Sequence, residues 1–217
     1  MNQPIECKTR INYSKTRQAR YIAHLDTIDV ICKALRRLKL SYVVTQGCHI
    51  RPKISFGPPL PLGHASYCEY FIITLSEAPD SEQLKNQLNR ELPQGMEVLS
   101  IEFPWVETKS SAAGDWVQYK LYFSSKTTAE EAQNWLLNPQ SSFQVDRKGK
   151  IKSYAIGKAV QKADLAETSD GWLMKAEFVQ GLADIPSVSK IVTALARHLG
   201  DSRDDFYLLE RTALKEL

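Results

Sequence analysis

The arrangement of apolar and polar positions divides the chain into short elements before any single residue stands out. Lys8 to Tyr13 alternates charged and larger residues as a strand does, and the polar run Ser14 to Gln18 predicts a turn after it. From about Ala23 to Leu38, Ile28, Ile31, Leu35 and Leu38 recur at helical spacing while Lys33, Arg36 and Arg37 project elsewhere. Asp26 and Asp29 sit in the first turns of that helix, near the positive end of its dipole. The β-formers of Ser41 to Thr45 predict a strand ended by Gln46-Gly47. Cys48 to Ser66 reads as a long loop, because Pro52, Pro58, Pro59, Pro61, Gly57 and Gly63 exclude a regular helix. Tyr67 to Leu75 predicts another strand. A helix over Ser81 to Glu91, capped by Asp80 or Ser81, and a strand over Met96 to Phe103 complete the first half.

Trp105 to Asp115 reads as a linker, since Ser110 to Gly114 offers only small side chains to pack. The second half nearly repeats the first. Strands are expected at Trp116 to Phe123, Trp172 to Phe178 and Phe206 to Arg211, with a hairpin of Phe143 to Lys148 and Lys150 to Ile156. Helices are expected from Thr128 to Leu137, with an acidic start, and from Ser187 to Leu199 after Pro186. Gly157 to Asp170 reads as a short helix plus turn. The order strand, helix, strand, strand, helix, strand in each half predicts an α+β chain of two tandem ferredoxin-like, split βαβ domains. The expected boundaries are 1–104 for a basic domain, 105–115 for the linker and 116–217 for the second domain.

Charge changes this picture. The formal net charge is +3, but the window Lys8 to Lys53 holds eleven bases against Asp26 and Asp29, a local excess of +9, and the remainder carries −6. Such a field steers RNA, phosphates or an acidic protein face toward one end. No apolar run approaches the ~18 residues of a membrane span. Met1-Asn2-Gln3-Pro4 lacks the basic and apolar blocks of a secretory signal, so a cytoplasmic location without membrane contact is expected. Cys7, Cys32, Cys48 and Cys68 include no C-x-x-C pair, so neither a zinc ribbon nor an iron–sulfur cluster is written locally, and no cofactor is expected.

One ordered set of motifs points further. Ala23-His24-Leu25-Asp26, Ala34-Leu35-Arg36-Arg37, Gln46-Gly47 and the run Pro52-Lys53-Ile54-Ser55-Phe56-Gly57-Pro58-Pro59-Leu60-Pro61-Leu62-Gly63 together resemble the radical-SAM-associated domain of unknown function, here as a stand-alone chain. Ala23 stands where that family usually has serine, and Cys48-His49 where it has phenylalanine and asparagine. The resemblance implies a radical-SAM enzyme as partner. It implies no reaction.

The candidate site residues are basic, or lie in the proline loop. Arg36 and Arg37 with Lys33 present donors suited to phosphate, and Arg17, Arg20, Arg51 and Lys53 lie on segments that the expected fold could bring beside them. His24 and Asp26 begin a helix whose unpaired N–H groups can hold an anion; alternatively Asp26 caps the helix and His24 bonds a neighbouring loop. In the loop, Ser55 offers a hydroxyl and Phe56 a stacking ring, unless Phe56 and Leu60 tuck under as anchors. Cys48, His49 and His64 form at most an irregular metal-ligand set, and no metal site is expected. Glu69 is either an orienter of Arg51 or an exposed strand carboxylate. The function expected is an accessory RNA-binding or substrate-presenting protein without independent catalysis. One alternative is a metal-independent RNA-processing endonuclease using His24, by likeness to CRISPR repeat-processing enzymes, although the chain lacks their glycine-rich C-terminal loop. The other is a protein-only interaction subunit.

Overall fold

A computed structural model describes residues 7–46, 50–106, 115–147, 149–180, 182, 184–200 and 206–215. It is a mixed α/β structure that divides into two compact units, Met1–Thr108 and Lys109–Leu217.

In the first unit, β1 (Cys7–Lys15) is followed by a single 3-10 turn (Arg17–Tyr21) and helix α1 (His24–Arg37); β2 (Ile54–Phe56), β3 (Ala65–Leu75), α2 (Ser81–Glu91) and β4 (Met96–Glu102) complete it. The strands lie in the order β4-β1-β3-β2, every pair antiparallel. Odd-numbered positions Ile11 and Tyr13 on β1 and Phe71, Ile73 and Leu75 on β3 are buried, and Ile31, Leu35, Leu84 and Leu88 of the two helices close over them. Deleting any of these leucines would cost ~2–5 kcal/mol, the usual range for a core leucine truncated to alanine. Asp80 caps α2 by accepting from the Gln83 N–H at 3.0 Å.

Two expectations change here. Ser41 to Thr45 is extended but makes only isolated bridges, Tyr42 to Leu75 and Val44 to Pro52. The strand that pairs with β3 is instead Ile54–Phe56, inside the stretch read as loop; Ile54 meets Ile73 and Phe56 meets Phe71. Ser14 and Lys15, expected in a turn, are the buried end of β1.

The second unit contains β5 (Asp115–Phe123), α3 (Lys126–Leu137), the hairpin β6 (Ser142–Arg147) and β7 (Lys150–Ala155), β8 (Val160–Thr168), β9 (Gly171–Gln180), α4 (Val188–Leu199) and β10 (Phe206–Lys215). Its main strands lie in the order β10-β5-β9-β8, again antiparallel, so each unit repeats one pattern with the hairpin inserted into the second. Val117, Tyr119, Leu121 and Phe123 face Leu136, Ile191 and Leu195 in the core. Gly157 to Asp170 is a correction: β8 occupies most of the span expected to be helical. A register shift between Val160 and Lys162 puts Val160 and Ala163, three apart, both toward the core, which breaks the two-residue period of a strand. Residues 107–114 of the expected linker lie outside the described residues.

Candidate functional site

The chemistry of the first unit concentrates where β1 ends. Register shifts against both β3 and β4 fall between Asn12 and Lys15, and this irregularity adds Ser14 to the buried face on which Tyr13 and Lys15 lie. The Lys15 side chain is 2% exposed, and its Nζ donates to the Ile22 carbonyl at 2.5 Å. Burial lowers the Lys15 pKa, opposed by the nearby Glu69 carboxylate. Glu69 is itself buried and accepts from Ser66 Oγ at 2.6 Å, while Ser66 is the cross-strand partner of Lys15. A buried charge is costly unless compensated, and here the Ile22 carbonyl accepts from the ammonium while the Glu69 carboxylate acts on it electrostatically. It ties β1 and β3 to the turn that precedes α1. Glu69 is therefore no exposed strand carboxylate.

Beyond Lys15 the chain bends sharply. The Thr16 N–H donates to Gly95 O at 2.7 Å, and Arg17 follows in the left-handed region at φ 48°. Gly95 is itself at φ 92°, and a Cβ there would stand 2.5 Å from Thr16 O, so this crossing requires glycine. Ser14, Thr16, Arg17, Tyr67, Asn89 and Gly95 are among the residues lining an open cleft of about 600 Å³. Asn89 is fixed in the wall, donating to Val98 O and accepting from Val98 N. Arg17 is exposed and makes no ion pair or hydrogen bond among the described residues; Tyr67 is 48% exposed. A left-handed arginine in a cleft is uncommon for an L-residue, and such strain gathers at functional sites.

A second group surrounds the start of α1. Ala23 is the N-cap and offers no side-chain oxygen, and Asp26 lies in the first turn without capping it. The His24 ring meets Phe56 edge-on at 6.3 Å; Phe56 continues to Phe71 at 5.8 Å, and Phe71 to Tyr13 at 6.0 Å. Phe56 is thus half-buried as the outer member of an aromatic chain, while Leu60 is fully tucked under the loop. Arg20 lies over the Tyr21 ring at 4.8 Å and donates to Tyr21 Oη at 2.6 Å; its Nε is buried without a hydrogen-bond partner. The Arg20 carbonyl holds the proline loop by accepting from Gly63 N at 2.9 Å.

The remaining basic residues go elsewhere. Lys33 pairs with Asp29 at 2.7 Å, and Arg37 pairs with Glu91 of α2 through Nε while its NH2 donates to Glu91 O at 2.8 Å. Arg36 and Arg51 both act electrostatically on Cys32, whose thiol is nonetheless pushed up, first by burial. Lys53 and Ser55 are exposed on either side of half-buried Ile54. The structure therefore separates the sequence-predicted residues: Arg17 lines the cleft, Arg20, His24 and Phe56 surround the start of α1, and Arg36 and Arg51 each act on Cys32. Sequence reading missed Lys15, Ser66 and Tyr67. Cys48 and His49 lie outside the described residues, and among the described residues no three metal-ligating side chains cluster. No described helix is long and apolar enough to cross a membrane.

Comparison with known proteins adds a family and little else. An unknown protein from Galdieria sulphuraria is 13% identical over 98% of this chain and 99% of its own, with a TM-score of 0.27. DyPB from Rhodococcus jostii RHA1 is also 13% identical, over 99% of this chain and 92% of its own, with a TM-score of 0.23. None of the curated proteins matches. The family model described as an uncharacterized protein conserved in bacteria, DUF2344, matches residues 8–189, and the chain belongs to that family.

Proposed function

We propose that this protein is a non-catalytic accessory factor that binds single-stranded RNA through the cleft beside Arg17 and works with a radical-SAM enzyme. The observation that carries the RNA reading is the pairing of an unengaged guanidinium with a half-exposed tyrosine ring in one cleft. Guanidinium binds phosphate through paired donors, and an aromatic face stacks a base of any identity. The radical-SAM partner rests on the motif resemblance around His24 and Pro52 to Gly63. The strand orders β4-β1-β3-β2 and β10-β5-β9-β8 support reading each unit as a ferredoxin-like domain, a scaffold that hosts many functions and assigns none.

The test is fluorescence anisotropy with a labelled single-stranded oligoribonucleotide at graded ionic strength. Affinity is expected to fall with salt at a log–log slope of about −0.7 for each phosphate contacted. Arg17→Ala is expected to weaken binding by about tenfold or more, as for loss of a charged hydrogen bond. Absence of binding even at low ionic strength would overturn the RNA reading in favour of protein-only pairing. His24, on which the endonuclease alternative depends, meets Phe56 and has no acid–base partner among the described residues. Metal-independent cleavage of structured RNA that is lost in His24→Ala would restore that alternative.

A further inference from the structure

The second unit carries a cleft that the RNA reading of the first unit does not use. It lies between α3 and α4, has a volume of about 470 Å³, and is lined by Thr127, Glu130, Glu131, Trp135, Ser141 and His198 together with Asn134 and Asn138. Trp135 and His198 are brought together from helices 63 positions apart in the chain, with ring centroids 5.3 Å apart and planes only 20° from parallel. Glu131 Oε1 stands 3.5 Å from His198 Nε2, so the imidazole is held at its edge as well as its face. Trp135 is packed against the core of the unit, whereas the His198 side chain is 39% exposed. The pair forms a rigid flat step whose outer surface is imidazole.

The groups around the step are not engaged with one another. Ser141 lines the cleft, and its hydroxyl makes no hydrogen bond among the described residues. The same holds for the Asn134 amide and the Trp135 ring N–H. Lys126 pairs with Glu130 at 3.7 Å at the rim, so the cleft combines acceptors with an aromatic floor and has no free cation lining it.

We propose that this cleft binds an unpaired nucleobase bearing an exocyclic amine, adenine or cytosine, stacked on His198. Flat rings stack on histidine and tryptophan; a side-chain amide can pair with an adenine edge, and a carboxylate accepts from an exocyclic amine. The cleft has room for one nucleoside. The carboxylates disfavour a phosphate close by, so adenosine binds better than adenosine monophosphate. This inference is independent of the Arg17 cleft and stands if that reading fails.

The experiment is a titration of the full chain with adenosine, uridine and adenosine monophosphate, followed by tryptophan fluorescence and by saturation-transfer NMR on the ligand. Adenosine is expected to bind saturably, with uridine and adenosine monophosphate each at least about fivefold weaker. His198→Ala is expected to weaken adenosine about tenfold, within the range of lost base stacking. His198 is half-exposed, so this variant keeps the core, and circular dichroism verifies its folding. Asn134→Ala, also at the surface of the cleft, is expected to narrow the preference for adenosine over uridine. No saturable binding, equal binding of adenosine and uridine, or equal affinity of wild type and His198→Ala would each overturn the proposal. Arg17→Ala is expected to leave adenosine binding unchanged while reducing oligoribonucleotide affinity, which separates failure of one cleft from failure of the other.

Discussion

Replacing Arg17 with glycine separates stability from binding in a way that few substitutions in this chain can. Arg17 sits at φ 48°, where an L-residue is disfavoured by roughly 1–2 kcal/mol. Glycine adopts that conformation freely but loses about 0.4–1 kcal/mol through the greater freedom of its unfolded chain. The difference predicts Arg17→Gly to be neutral or more stable than wild type by up to about 1.5 kcal/mol, on the basis of those two opposing effects. Lys39 is the internal control. It also lies in the left-handed region, at φ 53°, as the residue that ends α1 with its N–H donated to Arg36 O at 3.0 Å, a place glycine commonly fills. Lys39→Gly is expected to stabilise by a similar amount without affecting RNA. Arg17→Gly and Arg17→Ala should lose RNA affinity equally, about tenfold or more from the missing charged bonds, and differ only in stability. Urea denaturation of the three variants alongside anisotropy makes the comparison. If Arg17→Gly lowers stability by more than about 1 kcal/mol, the side chain supports the fold and the strain argument fails. If it keeps wild-type RNA affinity, the cleft is not the site.

Three other outcomes follow from the same geometry. Gly95→Ala places a methyl group 2.5 Å from Thr16 O at a backbone φ of 92°, and should cost about 2 kcal/mol or more in thermal or urea unfolding, with RNA affinity reduced because the Arg17 turn shifts. Arg37→Ala removes a half-exposed pair with Glu91, so a loss of only about 0.2–1 kcal/mol and unchanged RNA binding are expected from the same two assays. Lys15 releases its proton at lower pH when folded than when unfolded, so between its folded and unfolded pKa the unfolded chain holds more protons and stability rises with pH up to the ordinary lysine range; in Lys15→Met the urea midpoint should lack that rise, and identical pH dependence of the two proteins would refute the buried ammonium.

The helices of this chain were legible because burial and period agree: Ile31 and Leu35, chosen from spacing alone, are 1% and 0% exposed. Strands were legible where pairing runs unbroken and illegible where it does not. β2 has three residues beside Pro52, and Pro58 follows soon after, so composition indicated a loop although backbone pairing with β3 is available. β8 was hidden by its irregular register. The buried lysine does carry a signal in the sequence. Cys7, Thr9, Ile11 and Tyr13 are all inward on β1, and the same parity reaches Lys15, just as Glu69 shares the parity of Phe71, Ile73 and Leu75. Alternation carried past the apolar residues places both charges on the inward faces of their strands. The left-handed turn at Arg17 had no such signal, since neither glycine nor asparagine marks it. Trp135 and His198 meet only through tertiary packing of α3 and α4, which local periodicity does not encode.

The basic window itself shows why a charge count locates a field poorly. Eleven bases between Lys8 and Lys53 suggest a continuous rail for phosphate, but folding brings acids from later in the chain against them. Glu69 acts electrostatically on Lys15 inside the unit and Glu91 engages Arg37 across the helices, while Asp29 takes Lys33 locally. Over the whole first unit, thirteen bases face eleven acids, a net of only +2. Long-range steering from such a unit is weak and easily screened at a Debye length of about 8 Å. Recognition must then come from short-range geometry, a guanidinium and a ring held in one cleft. The fold selects which charges stay available, and among the described residues Arg17 is kept available at the expense of backbone strain. A shallow salt dependence, with few phosphates contacted, is the signature that distinguishes this arrangement from a basic rail.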